Sequence, residues 1–356
     1  MPGFFDSASW HGHSFTVFGT KLDLLLDLAD YDNNLGIDNQ YYNIAFSAFV
    51  IFSFLWVVEY SSRFLWSKVD SPFVKPQKNI IILGRHTMDV VAMAGLVYAG
   101  FEALQNFNGG GIMGFGAMTG DIIVNGKVAA AGYERVYAYS SAAQRLCVFQ
   151  IAYESKNFCD SLIHNDGALF LAHHLTTGIV SALATRPFLH LYSCFFLGWS
   201  EVSTVFLCVL VCFDDEHGLP GLNKAYPTIM TITGVLFAAS FTLFRVLIWP
   251  VLNYYFWSDM WHIYVNGTVH SVPEWYLYMA ISIGLSGLQI MWFKEIVNGA
   301  MDMLKNGGEI VIQRGDSDEI KSAKKVKAVV AAPKKRAARS KSPAAKRGKS
   351  PAVRRK

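Results

Sequence analysis

The sequence predicts an all-α polytopic membrane protein with about seven transmembrane helices, six of them forming a ring or bundle around a polar intramembrane cavity. Three observations predict it. The 356 residues are 52% hydrophobic and only 16% charged, with positive mean hydropathy, which is too apolar for an ordinary soluble domain of this length. Mostly apolar runs of about 18 residues or more, the length that crosses roughly 30 Å of hydrocarbon, recur along the chain. Several of these runs contain ionisable residues at helical spacing, and such groups are seldom kept in lipid without a partner or a task.

The elements follow in order. Residues 1–40 are polar and acidic, without the basic segment and apolar core of a cleavable signal peptide, so the first helix (41–66, apolar over 41–58) is expected to act as the insertion signal. The span 79–101 carries Arg85 and Asp89, four residues apart and expected to neutralise each other. Segment 103–135 is glycine-rich. Its Asn125-Gly126 pair predicts a short hairpin, and the strand, loop and Lys-Ser/Thr context of a phosphate-binding loop is missing. The span 136–154 holds Arg145 and Glu154, and its helix sets Gln150, Glu154, Asn157 and Ser161 on one stripe, with Asp160 beside it. The spans 168–185 and 188–213 carry the histidine pair and Glu201, while the span 226–249 ends near Arg245, where snorkelling toward a membrane face is expected. The last span is 275–295. The five cysteines lie in or beside spans without metal-ligand or disulfide-framework spacing, and read as small apolar fillers.

Loop charges set the orientation. The first connection holds Arg63, Lys68, Lys75 and Lys78, the N-terminal segment has Lys21 alone among several aspartates, and the C-terminal tail is intensely basic. The rule that basic loops stay cytosolic places the N-terminus in the lumen and the C-terminus in the cytosol, with an odd number of spans. Asn266-Gly267-Thr268 is then a lumenal glycosylation sequon at Asn266. Residues 321–356 hold 15 Lys or Arg and no acidic residue; the whole chain is +4, which leaves a net −11 on the first 320 residues. The segment 314–356 therefore reads as a disordered polybasic tail. Its expected partner is the anionic membrane surface, with nucleic acid the lesser alternative. Ser342 and Ser350, each before proline, are candidate phosphorylation sites that would weaken such contacts.

The candidate site lies inside the apolar runs. On a 3.6-residue period His174, Thr177 and Ser181 share a stripe and His173 stands about 100° round the axis. On the next helix the same period aligns His190, Cys194, Glu201, Thr204 and Cys208, and the short link after Arg186-Pro187 makes the two helices antiparallel neighbours, so that Glu201 is expected to face the histidines. Neutral imidazoles and a carboxylate in low dielectric suit proton transfer and nucleophile activation. No metal is expected, because adjacent histidines diverge on a helix and no His-x-x-x-His run occurs. The threonines, including Thr177 and Thr204, read mainly as interhelical hydrogen-bond groups.

The pattern resembles the TLC-domain family of membrane proteins, the ceramide synthases and related lipid-homeostasis members, over approximately 79–305. The resemblance rests on Leu171-Ala172-His173-His174 opening a helix, on Glu201-Val202-Ser203-Thr204-Val205-Phe206, on Phe241-Thr242-Leu243-Phe244-Arg245-Val246, and on Leu288-Gln289-Ile290-Met291-Trp292-Phe293-Lys294. It is closer to non-synthase members: where synthases have a His-Asp pair and a further Asp, this chain has Ser200-Glu201 and Thr204, and Val91 stands where many members have histidine. The resemblance implies endoplasmic-reticulum membrane lipid or sphingolipid homeostasis. A fatty-acyl or sphingoid lipid would be the ligand and His173, His174 and Glu201 the catalytic residues; Arg85, Asp89, Glu154, Asp160, Thr177, Thr204, Arg245 and Trp292, on the inward polar stripes and the matching runs, are expected to bind lipid or support them. Enzyme activity would be ceramide-synthase-like N-acyl transfer, with no cofactor and acyl-CoA as co-substrate; the alternative is a non-catalytic lipid-binding regulator or cargo receptor. Whether the chain forms a homodimer is left open by the sequence.

Overall fold

The computed structural model describes residues 14–17, 20–23, 37–108, 122–124, 127–129, 132–186 and 188–305. Among them are seven long helices: α1 (Ile37–Trp66), α2 (Gln77–Asn108), α3 (Ser141–His164), α4 (Ala168–Ala184), α5 (His190–Val211), α6 (Pro227–Val265) and α7 (Val272–Lys305). Two short antiparallel hairpins accompany them. β1 (Ser14–Val17) pairs with β2 (Thr20–Asp23) in the N-terminal segment, and β3 (Ile122–Val124) pairs with β4 (Lys127–Ala129) across the expected Asn125-Gly126 position. The protein is an all-α polytopic membrane protein. Ser342 and Ser350, with the rest of the basic tail, lie outside the described residues.

Five of the helices, α1, α2, α5, α6 and α7, are long and apolar enough to cross a membrane. Their outward faces carry exposed large apolar side chains such as Phe49, Phe54, Val57, Val235, Leu247, Ile283 and Ile290, the surface a lipid environment accepts. α4 is apolar but only 17 residues long. α3 is the most polar of the seven helices for its length, and it turns its polar stripe inward: Gln150, Glu154, Lys156, Asn157, Asp160 and Ser161 are all buried.

Local chemistry sets the helix boundaries. The Ser140 side chain accepts from the Ala143 amide to cap α3, and Asn165 at φ 56° ends it in the left-handed region that Asn tolerates. The three residues Asn165 to Gly167 then reverse the chain into α4, so α3 and α4 form an antiparallel hairpin. α5 is not a regular helix: Cys194–Gly198 is a π turn and Trp199–Glu201 a 3₁₀ turn. These turns alter the register that a 3.6-residue period predicts for His190, Cys194, Glu201 and Thr204. The π turn lies where α5 presses on α2, since a Cβ added to Gly100 would stand 2.7 Å from the Cys194 carbonyl oxygen and 2.8 Å from the Gly198 Cα. Only glycines allow two helices this close.

α6 is longer than the predicted 226–249 and continues to Val265. Pro250 removes a backbone donor and would clash one turn back, and the helix absorbs it with a π turn over Thr242–Ile248. A helix of 39 residues spans about 58 Å at about 1.5 Å per residue. Arg245 therefore lies in its interior, buried, and does not snorkel to a membrane face.

The apolar core joins the helices in four groups, the smallest of which packs Ala48 of α1 on Val148 and Ala152 of α3. Leu55, Met88, Leu96, Leu146, Cys147 and Leu197 bind α1, α2, α3 and α5 together, Phe107, Leu191, Phe195 and Trp249 join α2, α5 and α6, and Tyr192, Phe256, Trp275 and Tyr278 join α5, α6 and α7. All five cysteines are free. In the 212–226 connection, Asp215 accepts from the Gly221 amide and the Asn223 side chain, and these bonds hold its carboxyl below the usual carboxylate range.

Candidate lipid site within the helix bundle

The α3–α4 hairpin sets Glu154, eleven residues before Asn165, nearly level with His174, nine residues after it. The His174 Nδ1 lies 2.7 Å from Glu154 Oε2. The other oxygen, Oε1, accepts from Gln150 Nε2 at 2.7 Å, so the carboxylate is fixed on both sides. His173 stands one residue round the helix; its ring centroid is 5.3 Å from that of His174 and 5.6 Å, edge-on, from that of Trp292.

Glu201 does not pair with either histidine. Its Oε2 accepts from Thr204 Oγ1 at 2.6 Å and from Arg245 Nη2 at 3.2 Å. The same guanidinium donates through Nε to Ser203 Oγ at 2.9 Å and the Ser200 carbonyl at 3.2 Å, and through Nη1 to Gln289 Oε1 at 3.3 Å. Arg245 is thereby a buried crosslink of α5, α6 and α7, with donors matched to fixed acceptors.

His173 of the first group and Glu201 and Arg245 of the second line one cavity, formed by residues of α4, α5, α6 and α7 and partly open. His173, Thr177, Glu201, Arg245 and Gln289 line its polar end, and Val180, Ala184, Phe196, Trp249, Phe256 and Leu285 line an apolar stretch. Its volume is about 80 Å³, against the roughly 300–1,000 Å³ of typical small-molecule sites, so it is a slot and not a chamber. The Thr177 Oγ1 is buried and without a hydrogen-bond partner.

The remaining sequence-predicted residues form a separate network among α1, α2, α3 and the turn into α4. Arg85 and Asp89, expected to neutralise each other, each have other direct partners among the described residues. Arg85 donates to Asp166 at 2.9 Å and lies 3.5 Å from Asp160, while Asp89 accepts from Tyr153 at 3.3 Å and lies 3.5 Å from His86 Nδ1. Glu59, fully buried, pairs with Arg63 and Lys156, and Lys156, also fully buried, pairs with Asp160. Lys156 and Glu59 escaped the sequence reading. The four-residue spacing of Lys156 and Asp160 is the signal that would have found the first; Glu59, just beyond an apolar run, resembles an ordinary flanking charge. Buried ion pairs of this kind are modest in net stabilisation but costly to break, and here they tie α1 to α3.

His190 is structural: Nδ1 accepts from the Ser140 amide at 3.1 Å and Nε2 lies 2.8 Å from the Ala184 carbonyl. Beyond the cavity, Asp259 Oδ2 accepts from Arg135 at 2.7 Å and Tyr192 at 2.5 Å. Asn266 is exposed in the α6–α7 connection, its side chain donating to the His262 carbonyl at 2.9 Å.

Comparison with known proteins gives one family. A model of the TLC domain matches residues 114–298, more than half of the chain. That match takes in α3 to α6 and most of α7, and with them every residue of the cavity. No curated relative and no solved structure matches the chain. By this match the chain belongs to the TLC-domain family, a lipid-related family of membrane proteins.

Proposed function

We propose that the chain binds a fatty-acyl lipid in the α4–α7 slot and serves membrane lipid or sphingolipid homeostasis. One observation carries the reading: the slot has a largely apolar wall, with Ser193, Asn253 and Ser282 also in its lining, and His173, Glu201, Arg245 and Gln289 gather as a charged and polar group on it. The wall matches an acyl chain in polarity, with each buried methylene contributing about 0.8 kcal/mol, and the polar group matches a carbonyl or amide. Because the slot is narrow, a chain enters by side-chain adjustment around Phe196 and Trp249. The test is mass spectrometry of lipids extracted from purified chain, wild type against Leu285→Trp, which fills the slot. Acyl lipid should accompany the wild type and be depleted in the variant; equal lipid in both sinks the reading.

A second reading, N-acyl transfer from acyl-CoA to a sphingoid-base amine, is favoured by the His174–Glu154 contact. A carboxylate that fixes an imidazole tautomer is what a general base requires. In this reading Glu154 supports the base, and Glu201 orders the polar end through Arg245. Membranes containing the chain would be supplied with labelled acyl-CoA and sphingoid base; labelled N-acyl product lost in His174→Ala supports transfer, and product unchanged in that variant removes it.

The setting that fits is the endoplasmic reticulum, with the N-terminus and Asn266 lumenal and the basic tail cytosolic, lying against anionic headgroups. His173 and His174, near the start of α4, then lie toward the cytosolic side, from which acyl-CoA would enter.

A further inference from the structure

Glu154, His173 and His174 each bring one ligand atom to within 4.8 Å of the others. Two more observations point this trio at a ligand. The His173 Nδ1 is buried and has no hydrogen-bond partner, an unfavourable state for a polar atom that an ion or ligand would relieve. Gln150 holds the second oxygen of Glu154, the kind of outer contact that fixes a metal-ligating carboxylate. We propose that Glu154, His173 and His174 form a binding site for a divalent transition metal ion of the zinc class, facing the α4–α7 slot.

The donor set selects the ion. Two imidazole nitrogens and one carboxylate suit zinc and its neighbours, whereas calcium and magnesium favour all-oxygen sets. Tetrahedral bonds of about 2.0–2.1 Å place neighbouring ligand atoms roughly 3.3 Å apart. The His174–Glu154 contact at 2.7 Å would open by a few tenths of an ångström, and the widest separation would close, both within ordinary side-chain adjustment. Three protein ligands would leave a fourth position for an exogenous ligand, and of the three His173 lines the slot. The proposal deepens the lipid-site reading, on which its purpose rests: an ion held there would supply Lewis-acid polarisation of a carbonyl oxygen.

A second grouping, His86, Asp89 and Cys208, also gathers its ligand atoms within 4.8 Å. It lies away from the slot, and Asp89 already accepts from Tyr153. It is the competing location.

The test uses full-length chain purified in detergent, incubated with zinc, desalted and assayed for metal by plasma mass spectrometry. The wild type and Cys208→Ser should hold one ion per chain, and Glu154→Gln and His174→Ala should lose most of it. Cobalt(II) added to the wild type should produce the visible absorption of a tetrahedral nitrogen and oxygen site, a readout that needs no variant to fold. A wild type that keeps no zinc and gives no cobalt spectrum overturns the proposal, as does metal lost in Cys208→Ser but kept in Glu154→Gln. Lipid is extracted from the same samples. Lipid without metal overturns the ion site alone, and metal without lipid overturns the lipid reading alone.

Discussion

His174 Nδ1 lies 2.7 Å from Glu154 Oε2 across the α3–α4 turn, and this contact assigns the histidine a different carboxylate from the one its neighbouring helix offers. Glu201 has the spacing to face the pair, yet its Oε2 accepts from Arg245 and Thr204, and its Oε1 only from Ser200 Oγ at 3.4 Å. The two carboxylates therefore carry separate duties. One orients an imidazole; the other holds three helices.

Replacement of Glu154 should act on chemistry. In the acyl-transfer reading, Glu154→Gln keeps the shape but removes the charge that stabilises an imidazolium at His174, and product formation should fall by about 10²-fold or more. Labelled N-acyl product measured at equal amounts of folded protein checks this. A fall of less than about threefold would separate the contact from catalysis.

Replacement at the other pair should act on stability. Arg245→Ala leaves Glu201, partly buried, without its guanidinium; breaking a fully buried pair from one side costs about 3–5 kcal/mol, and the partial exposure of Glu201 places the expected loss toward or below the lower end of that range. The double variant Glu201→Gln with Arg245→Gln removes both charges and should recover much of that loss. Thermal unfolding in detergent reads both. Equal melting temperatures for Arg245→Ala and wild type would contradict the crosslink.

The close approach of α2 and α5 makes its own prediction. A side chain at Gly100 meets the backbone of Cys194 and Gly198 at 2.7–2.8 Å, so Gly100→Val must separate the helices and should destabilise by about 1–3 kcal/mol. Gly287, whose added Cβ meets nothing within 4 Å, is the control. Gly287→Ala should be neutral or slightly stabilising, because alanine favours the helix by up to about 1 kcal/mol.

Topology can be read at Asn266. If the α6–α7 connection is lumenal, chain expressed in eukaryotic cells should shift mobility on glycosidase treatment, and Asn266→Gln should abolish the shift. A sequon placed between residues 67 and 76 that is glycosylated instead would invert the orientation.

Much of the fold is legible in the sequence because long apolar runs leave few alternatives in lipid. The run of α6 is the exception: Pro250, Asn253 and Asp259 interrupt its apolar pattern, and only the π turn over Thr242–Ile248 shows how the helix passes the proline. The histidine pair stands out as two costly groups in an apolar stretch. Its carboxylate partner does not, because periodicity gives each helix a polar face but not the pairing between faces. Asn165 at φ 56° and the turn to Gly167 decide that pairing by placing α3 beside α4. Periodicity also fails within α5, where a π turn and a 3₁₀ turn follow His190. Lys156 is hidden for a simpler reason: a lysine near a helix end reads as a surface charge until the α1 carboxylate of Glu59 is found beside it.

The central claim is that an acyl chain occupies the slot between α4 and α7. The most direct measurement is photocrosslinking with a fatty-acyl probe bearing a diazirine on its chain, followed by peptide mapping. The account predicts crosslinks on slot-lining residues such as Ala184, Phe196, Trp249 and Leu285, reduced in Leu285→Trp and competed by unlabelled acyl lipid. Crosslinks confined to lipid-facing residues such as Phe54, Leu247 and Ile290, unchanged in that variant, would contradict it.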